Sequence, residues 1–286
     1  MKSVNLFGGL KRAAALTGAT FAIAAVFATT APETAYAAGD ATTKKYHKHP
    51  KEGHFAHEGL FGSYDQSQLQ RGFQVFQNVC SGCHSLKYVA FRNFEALGYS
   101  PEQVKALAAQ YEVEDGPNDD GEMYMRPAKP SDYWPNPFAN EQEARLANGG
   151  ALPPDLSLMT RARHEGSNYV YSLLQGYEEE VPEELDEPPI GQYFNPYYKT
   201  LYLAMAQPLY EDGVEYADGT PATVKQMSKD VAAFLTWTAA PHKDKRKSIG
   251  IKTLLFVSVL AGLSYMSYRK IWKPVKEGKN IMEDQA

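Results

Sequence analysis

Two cysteines are all that the 286 residues contain, Cys80 and Cys83, three positions apart. That scarcity excludes a disulfide-stapled fold and a zinc site built on four thiolates. Long apolar runs are also scarce, with one near each end and none between. Positive charge is thin through the middle. From Ala38 to His242 there are 16 Lys and Arg against 29 Asp and Glu, a balance of −13, whereas the whole chain carries −5. A strongly acidic body argues against nucleic acid and against docking to anionic lipid, and favours a basic partner. No internal repeat, phosphate-cradling glycine loop or nucleophile–base arrangement asks for catalysis by side chains.

The two apolar runs bound the organisation. Residues 1–37 read as an export signal: Lys2, Lys11 and Arg12 precede an apolar stretch from Ala13 to Ala28, and Ala35-Tyr36-Ala37 supplies a small-x-small cleavage site. An organellar presequence is the alternative, since the first acidic residue is Glu33. The second run, residues 249–268, has one charge, Lys252, placed where its stem reaches back to an interface. About 20 apolar residues span a bilayer core as helix. Tyr265, Tyr268 and Trp272 fit an aromatic belt. The organisation expected is thus a signal at 1–37, an external domain at 38–248, a membrane span at 249–268 and a cytoplasmic tail at 269–286.

The external domain reads as mainly α. Asp65 or Ser67 caps a helix with Leu69, Phe73 and Phe76 on one face, running into Cys80. A second short helix carries Leu86, Val89, Ala90 and Phe94 and closes at Gly98. Ser100-Pro101-Glu102-Gln103 opens a third, continuing to Tyr111. Residues 112–140 lose periodicity and read as loop without regular structure. Asn140 with Glu143 opens a helix ending at Gly149, and another covers Ser167 to Leu174. An acidic, proline-rich loop follows at 178–189. The last helix before the span has Thr220 as its cap and Pro221 in its first turn, with Val224, Met227, Val231, Phe234, Leu235 and Thr238 at helical spacing.

Cys80-Ser81-Gly82-Cys83-His84 is the C-x-x-C-H pattern of covalent haem attachment. Two thiols one helical turn apart add to the two vinyl groups of a porphyrin, and the adjacent imidazole lies under the ring to ligate iron. A dithiol redox motif would call for a βαβ setting, but the flanks here are helical. A zinc site would need ligands beyond the pair, and His47, His49, His54 and His57 sit in an irregular lead-in. Opposite His84, a methionine thioether would close the iron to other ligands. Met123, Met125, Met159, Met205 and Met227 are the candidates outside the span. Met227 sits on a packing face, and Met205 stands between small residues that permit close approach to a haem, although filling a core gap suits it equally.

The motifs together resemble the cytochrome c1 family, the membrane-anchored cytochromes of quinol–cytochrome c oxidoreductase (bc1) complexes. The likeness covers nearly all of the chain after the signal. It rests on Arg71-Gly72-Phe73-Gln74-Val75-Phe76 before C-S-G-C-H and on Gly150-Ala151-Leu152-Pro153-Pro154-Asp155-Leu156-Ser157. Arg161-Ala162-Arg163-His164, Met205-Ala206-Gln207-Pro208-Leu209, Asp218-Gly219-Thr220-Pro221-Ala222-Thr223 and the C-terminal anchor complete it. The resemblance implies a class I cytochrome c-like domain with one haem c, His84 and Met205 as axial ligands, and Arg163 as partner of a haem propionate. A propionate out of water needs such a cation. Pro153 or Pro154 would orient His84 through a backbone carbonyl. The extra cysteine pair that some bacterial relatives carry near the methionine ligand is absent.

The function implied is electron transfer, from a Rieske iron–sulfur subunit through the haem to a soluble or tethered cytochrome c. Partners would include a cytochrome b subunit within a dimeric complex. The location implied is a bacterial inner membrane with the haem domain on the periplasmic side, or alternatively a mitochondrial inner membrane facing the intermembrane space. Two other readings compete: a haem enzyme or gas sensor with an open sixth position, and a cytochrome subunit of a different assembly. In this sequence the acidic runs Asp115, Asp119, Asp120, Glu122 and Glu178, Glu179, Glu180, Glu183, Glu184, Asp186, Glu187 are candidates for steering a basic acceptor, or are simply solvated loops.

Overall fold

The structure, a computed structural model, describes residues 41–278; the export signal expected at 1–37 and the last eight residues of the expected tail lie outside the described residues. After a short helix α1 (Ala41–Tyr46), α2 (Gln66–Val75) begins where the Asp65 carboxylate accepts from the amides of Ser67 and Gln68 at 2.9 and 3.3 Å. Asp65, not Ser67, is therefore the cap. α2 passes directly into one wide π turn, Phe76–Cys80, which delivers the cysteine. The helix expected around Leu86 starts later, as a 3-10 segment at Phe91–Leu97 that Gly98 closes in the left-handed region at φ 94°. Leu86 and Val89 are buried all the same.

The Ser100–Gln103 capping box is present, but α3 (Pro101–Ala108) stops short of Tyr111. The stretch read as structureless contains a hairpin, β1 (Glu112–Asp115) paired antiparallel with β2 (Tyr124–Pro127). Its sides are mostly exposed, so no hydrophobic alternation announces it. Arg126 joins it, bonding Asp115 within the hairpin and Asp132 beyond it. Trp134, from the same stretch, is 3% exposed and meets Phe73 and Phe76 edge-on at 5.8 and 5.6 Å.

α4 (Glu141–Ala147), α5 (Met159–Ala162) and α6 (Gly166–Gln175) follow, with Asn140 capping α4 as expected. A 3-10 turn (Gly176–Glu178) and a minimal hairpin, β3 (Tyr193–Phe194) with β4 (Tyr202–Leu203), complete this half. α7 (Val224–Ala239) starts one turn later than Thr220 predicts, because Thr223 accepts from the Gln226 amide at 3.1 Å. The residues before it are engaged elsewhere. The Ala222 carbonyl accepts from Asp212 N–H, and the Val224 amide donates to Glu211.

α7 is the spine, packing against α2, α5 and α6. At its crossing with α2 a Cβ on Gly72 would lie 2.1 Å from the Asp230 carbonyl and 2.7 Å from Phe234 Cβ, so only glycine lets the helices approach this closely. Phe73, Phe76, Phe94, Phe234, Trp134 and Trp237 form the aromatic core around that contact. At its rim the buried Asp230 carboxylate takes Arg71 Nε at 2.9 Å, with Gln68 and Gln226 satisfying the remaining lone pairs, and Arg71 also reaches Asp218 at 2.8 Å.

α8 (Lys243–Lys276) is a single helix of 34 residues, none of them buried. Its length of ~51 Å exceeds the ~30 Å of a bilayer's hydrocarbon core, so the helix extends beyond residues 249–268 at both ends. The described residues are mainly helical, and one helix among them is long and apolar enough to cross a membrane.

Candidate haem site

The π turn sets up the site. Ser81 N–H bonds Phe76 O, and both Cys83 N–H and His84 N–H converge on Cys80 O at 3.1 and 2.9 Å. Cys80 and Cys83 therefore stand one tight turn apart with His84 directly after them. The two are not joined in a disulfide; Cys83 is exposed and Cys80 partly covered. Burial pushes the Cys80 thiol up to about 12, with the neighbouring Cys83 adding to the shift. Among the described residues no group of three His, Cys, Asp or Glu side chains gathers in a metal-holding cluster. His57 is buried, with Nε2 3.1 Å from the Ser167 hydroxyl.

The imidazole of His84 is held from the side. Its Nδ1 lies 2.8 Å from the carbonyl of Pro154, not Pro153. A carbonyl only accepts, so Nδ1 carries the proton and donates, which leaves the lone pair on Nε2. Burial lowers the pKa of His84, and the bond to Pro154 and the field of Asp155 only partly oppose this.

The carbonyl is in turn fixed by a seam between residues 84–88 and 153–157. Asp155 accepts from the Ser85 hydroxyl at 2.7 Å and from the amides of Lys87 and Ser157 at 2.9 and 3.0 Å. Leu156 N–H bonds Ser85 O, Tyr88 N–H bonds the Ser157 hydroxyl, and Thr238 of α7 ties Ser157 O to the core. Asp155 is the residue that sequence reasoning passed over. Its signal was an Asx-type position two residues before a serine, directly after the paired prolines.

Met205 is partly buried and packs against the core cluster, its carbonyl accepting from the Tyr177 hydroxyl at 2.9 Å. Arg163 follows the last residue of α5, exposed, within hydrogen-bonding reach of Tyr169. Of the other methionines, Met227 is fully buried, Met159 packs on the core, and Met123 and Met125 are exposed on the acidic hairpin. The structure therefore joins His84 to Pro154 directly, while Met205 and Arg163 come from separate segments. A porphyrin suits what is here: paired thiols at attachment spacing, beside an imidazole held through Nδ1.

The family model "Cytochrome C1 family" matches residues 55–275. Cytochrome c1 of Rhodospirillum rubrum is 48% identical over 233 residues, covering 77% of this chain and 86% of that protein. The mitochondrial cytochrome c1 heme protein of Saccharomyces cerevisiae is 45% identical over 227 residues, covering 79% and 73%. Cytochrome b/c1 of Bradyrhizobium diazoefficiens is 44% identical over 254 residues; the match takes in 82% of this chain but only 37% of that longer protein.

Proposed function

The chain belongs to the cytochrome c1 family and so carries a covalently bound haem c, and on that premise we propose that it is the electron-transfer subunit of a bc1 complex. In this reading it takes electrons from a Rieske iron–sulfur subunit and passes them to a soluble or tethered cytochrome c. The observation that carries the proposal is the His84 imidazole, held through Nδ1 by Pro154 O, immediately after two thiols at attachment spacing.

The bound haem supplies a one-electron couple; the protein's part is to hold and shield it. Cys80 and Cys83 form the thioether links. His84 and Met205 would ligate the haem iron, and Arg163 would pair with a propionate. Pro154 holds the imidazole plane, and the Asp155 seam keeps Pro154 in place. Two fixed ligands and a packed surround lower the reorganisation that each electron transfer demands, and a thioether axial ligand raises the potential. Cytochrome b and a second copy of the complex are the further partners proposed. The acidic domain lies on the external face, periplasmic in a bacterium.

The ligand assignment is tested by optical spectra of the reduced protein with and without carbon monoxide. The wild type is expected to be unresponsive and Met205→Ala to bind the gas. A wild type that takes up carbon monoxide readily would move the open-iron enzyme or sensor reading to first place.

Delivery to the acceptor is steered by charge. Asp119, Asp120 and Glu122 at the tip of the first hairpin are exposed, whereas Glu179 is tied to Lys48 and Lys51, and Glu184 lies beside Lys45. Glu180, Glu183, Asp186 and Glu187 of the second run are exposed as well, so both runs keep carboxylates open to a basic partner. Turnover with a basic cytochrome c should fall with added salt as the Debye length shrinks from ~8 Å at physiological ionic strength. A rate indifferent to salt would remove steering from the account.

A further inference from the structure

Residues 56–63 form a closed loop at the foot of the external domain. Ser63 N–H bonds Ala56 O at 3.1 Å, closing its base, and Glu58 N–H bonds Phe55 O at 3.0 Å. Gly59 turns the chain at φ 71°, and a Cβ at Gly62 would fall 1.8 Å from the Glu58 carbonyl, so the loop is drawn in on itself. Between these glycines it presents Leu60 and Phe61, adjacent residues 71% and 84% exposed. Single exposed apolar side chains are ordinary, but a neighbouring pair on a tip braced by its own backbone is not explained by the fold.

What the loop is fastened to indicates its surroundings. Lys247 Nζ donates to the carbonyls of His57, Gly59 and Gly62 at 3.3, 2.7 and 2.5 Å. Lys247 lies in the first turns of α8, two residues before the apolar run begins at Ile249. The next residue after the loop, Tyr64, is bound to the same region: its amide donates to Asp244 at 3.0 Å, and its hydroxyl donates to Thr236 O and Ala240 O at the end of α7. Lys243 lies over its ring. The tip is thus locked to the helix at the level where that helix enters the membrane. Lys243, Lys245 and Arg246, alongside, suit the phosphate layer.

We propose that Leu60 and Phe61 insert into the phospholipid interface of the membrane that α8 spans, giving the external domain a second point of attachment. A single helix leaves a domain free to swivel and tilt. A second, shallow contact fixed to the first through Lys247 sets the height and tilt of the domain over the bilayer. The occupant is lipid rather than protein because the tip is continuous with the apolar run through Lys247. The proposal rests on reading α8 as the anchor.

The test places a nitroxide on Phe61→Cys in the haem-loaded full chain, together with the subunits that copurify with it, in phosphatidylethanolamine–phosphatidylglycerol vesicles. Power saturation is then read against dissolved oxygen and an aqueous nickel chelate. Ile190→Cys, at a fully exposed position, gives the water reference, and a label scan over 257–260 gives the bilayer reference. The expected result is collision with oxygen and a several-fold loss of nickel contact at 61 relative to 190. Nickel contact equal to that at 190 would place the tip in water, and shielding from both probes would place it against protein; either overturns the proposal. If no position of the scan reads as lipid, the anchor assignment itself has failed instead. Lys247→Met should move the label at 61 toward the water reference; an unmoved label would show that the clasp does not hold the tip.

Discussion

Where α2 crosses α7 the helices touch through apolar surface and a missing side chain; beside His84 the chain is held by hydrogen bonds converging on one carboxylate. At the crossing, Gly72 faces the Asp230 carbonyl, and Phe73, Phe234 and Trp237 lie within one aromatic cluster. At the seam, Asp155 takes three donors, with Leu86 and Leu156 buried beside them. Close packing is intolerant of added volume because there is nowhere for it to go. A polar seam at the surface tolerates loss better, since water replaces part of each bond. The crossing therefore sets whether the domain folds, and the seam sets how His84 is aimed.

The sharpest way to break this contrast is Gly72→Ala. The added methyl meets backbone rather than a yielding side chain, and a loss of about 3 kcal/mol is expected, read as a lower urea midpoint for the detergent-solubilised holoprotein. A near-neutral result would show that the crossing is looser than its geometry.

Next in size is a pH effect at His57, a polar group sealed by packing. Burial, then Lys243 and Lys247, lower its pKa from 6.5 to about 4, against the opposing field of Asp244. The unfolded chain binds the proton more readily, so stability is full above pH 6.5 and falls as pH drops from there toward 4. The loss amounts to about 3 kcal/mol at most. Unfolding midpoints of the wild type and His57→Gln across that range should converge toward acid. Parallel curves would mean that His57 takes up its proton without cost.

Smallest in stability is Asp155→Ala, at about 2 kcal/mol for three donors partly open to water. Its distinctive mark is spectroscopic. With Pro154 released, the reduced haem band should broaden or shift while the Gly72 variant, where it folds, keeps the wild-type band. If Asp155→Ala leaves the spectrum untouched, the seam does not position the imidazole.

Local signals were legible and long-range ones were not. Asp65, Ser100 with Gln103, and Asn140 each cap the helix that their neighbours predict, because a cap bonds to amides two or three residues away. Thr220 and Pro221 make an equally good local cap, yet α7 starts at Val224, since Asp212 and Glu211 hold residues 222 and 224 from across a turn. The first hairpin was missed because its strands bury no regular face; Arg126 and its two carboxylates join it to the rest. Trp134 looked like part of a loop and lies in the core, since nothing within its own stretch records what packs against it.

By itself the sequence determined the turn that brings Cys80, Cys83 and His84 together, the long apolar helix that follows Pro241, and the acidic charge of residues 38–242. Each is written in residues a turn or so apart, or in composition, and needs no knowledge of what lies opposite. Only the tertiary structure decided that Pro154 rather than Pro153 turns its carbonyl to His84, that Asp155 braces it, and that Lys247 gathers the carbonyls of a loop nearly two hundred residues earlier. Those choices belong to pairs of groups distant in the chain, and a hydrogen bond between them exists only once the packing of the whole domain has brought donor and acceptor within 3 Å.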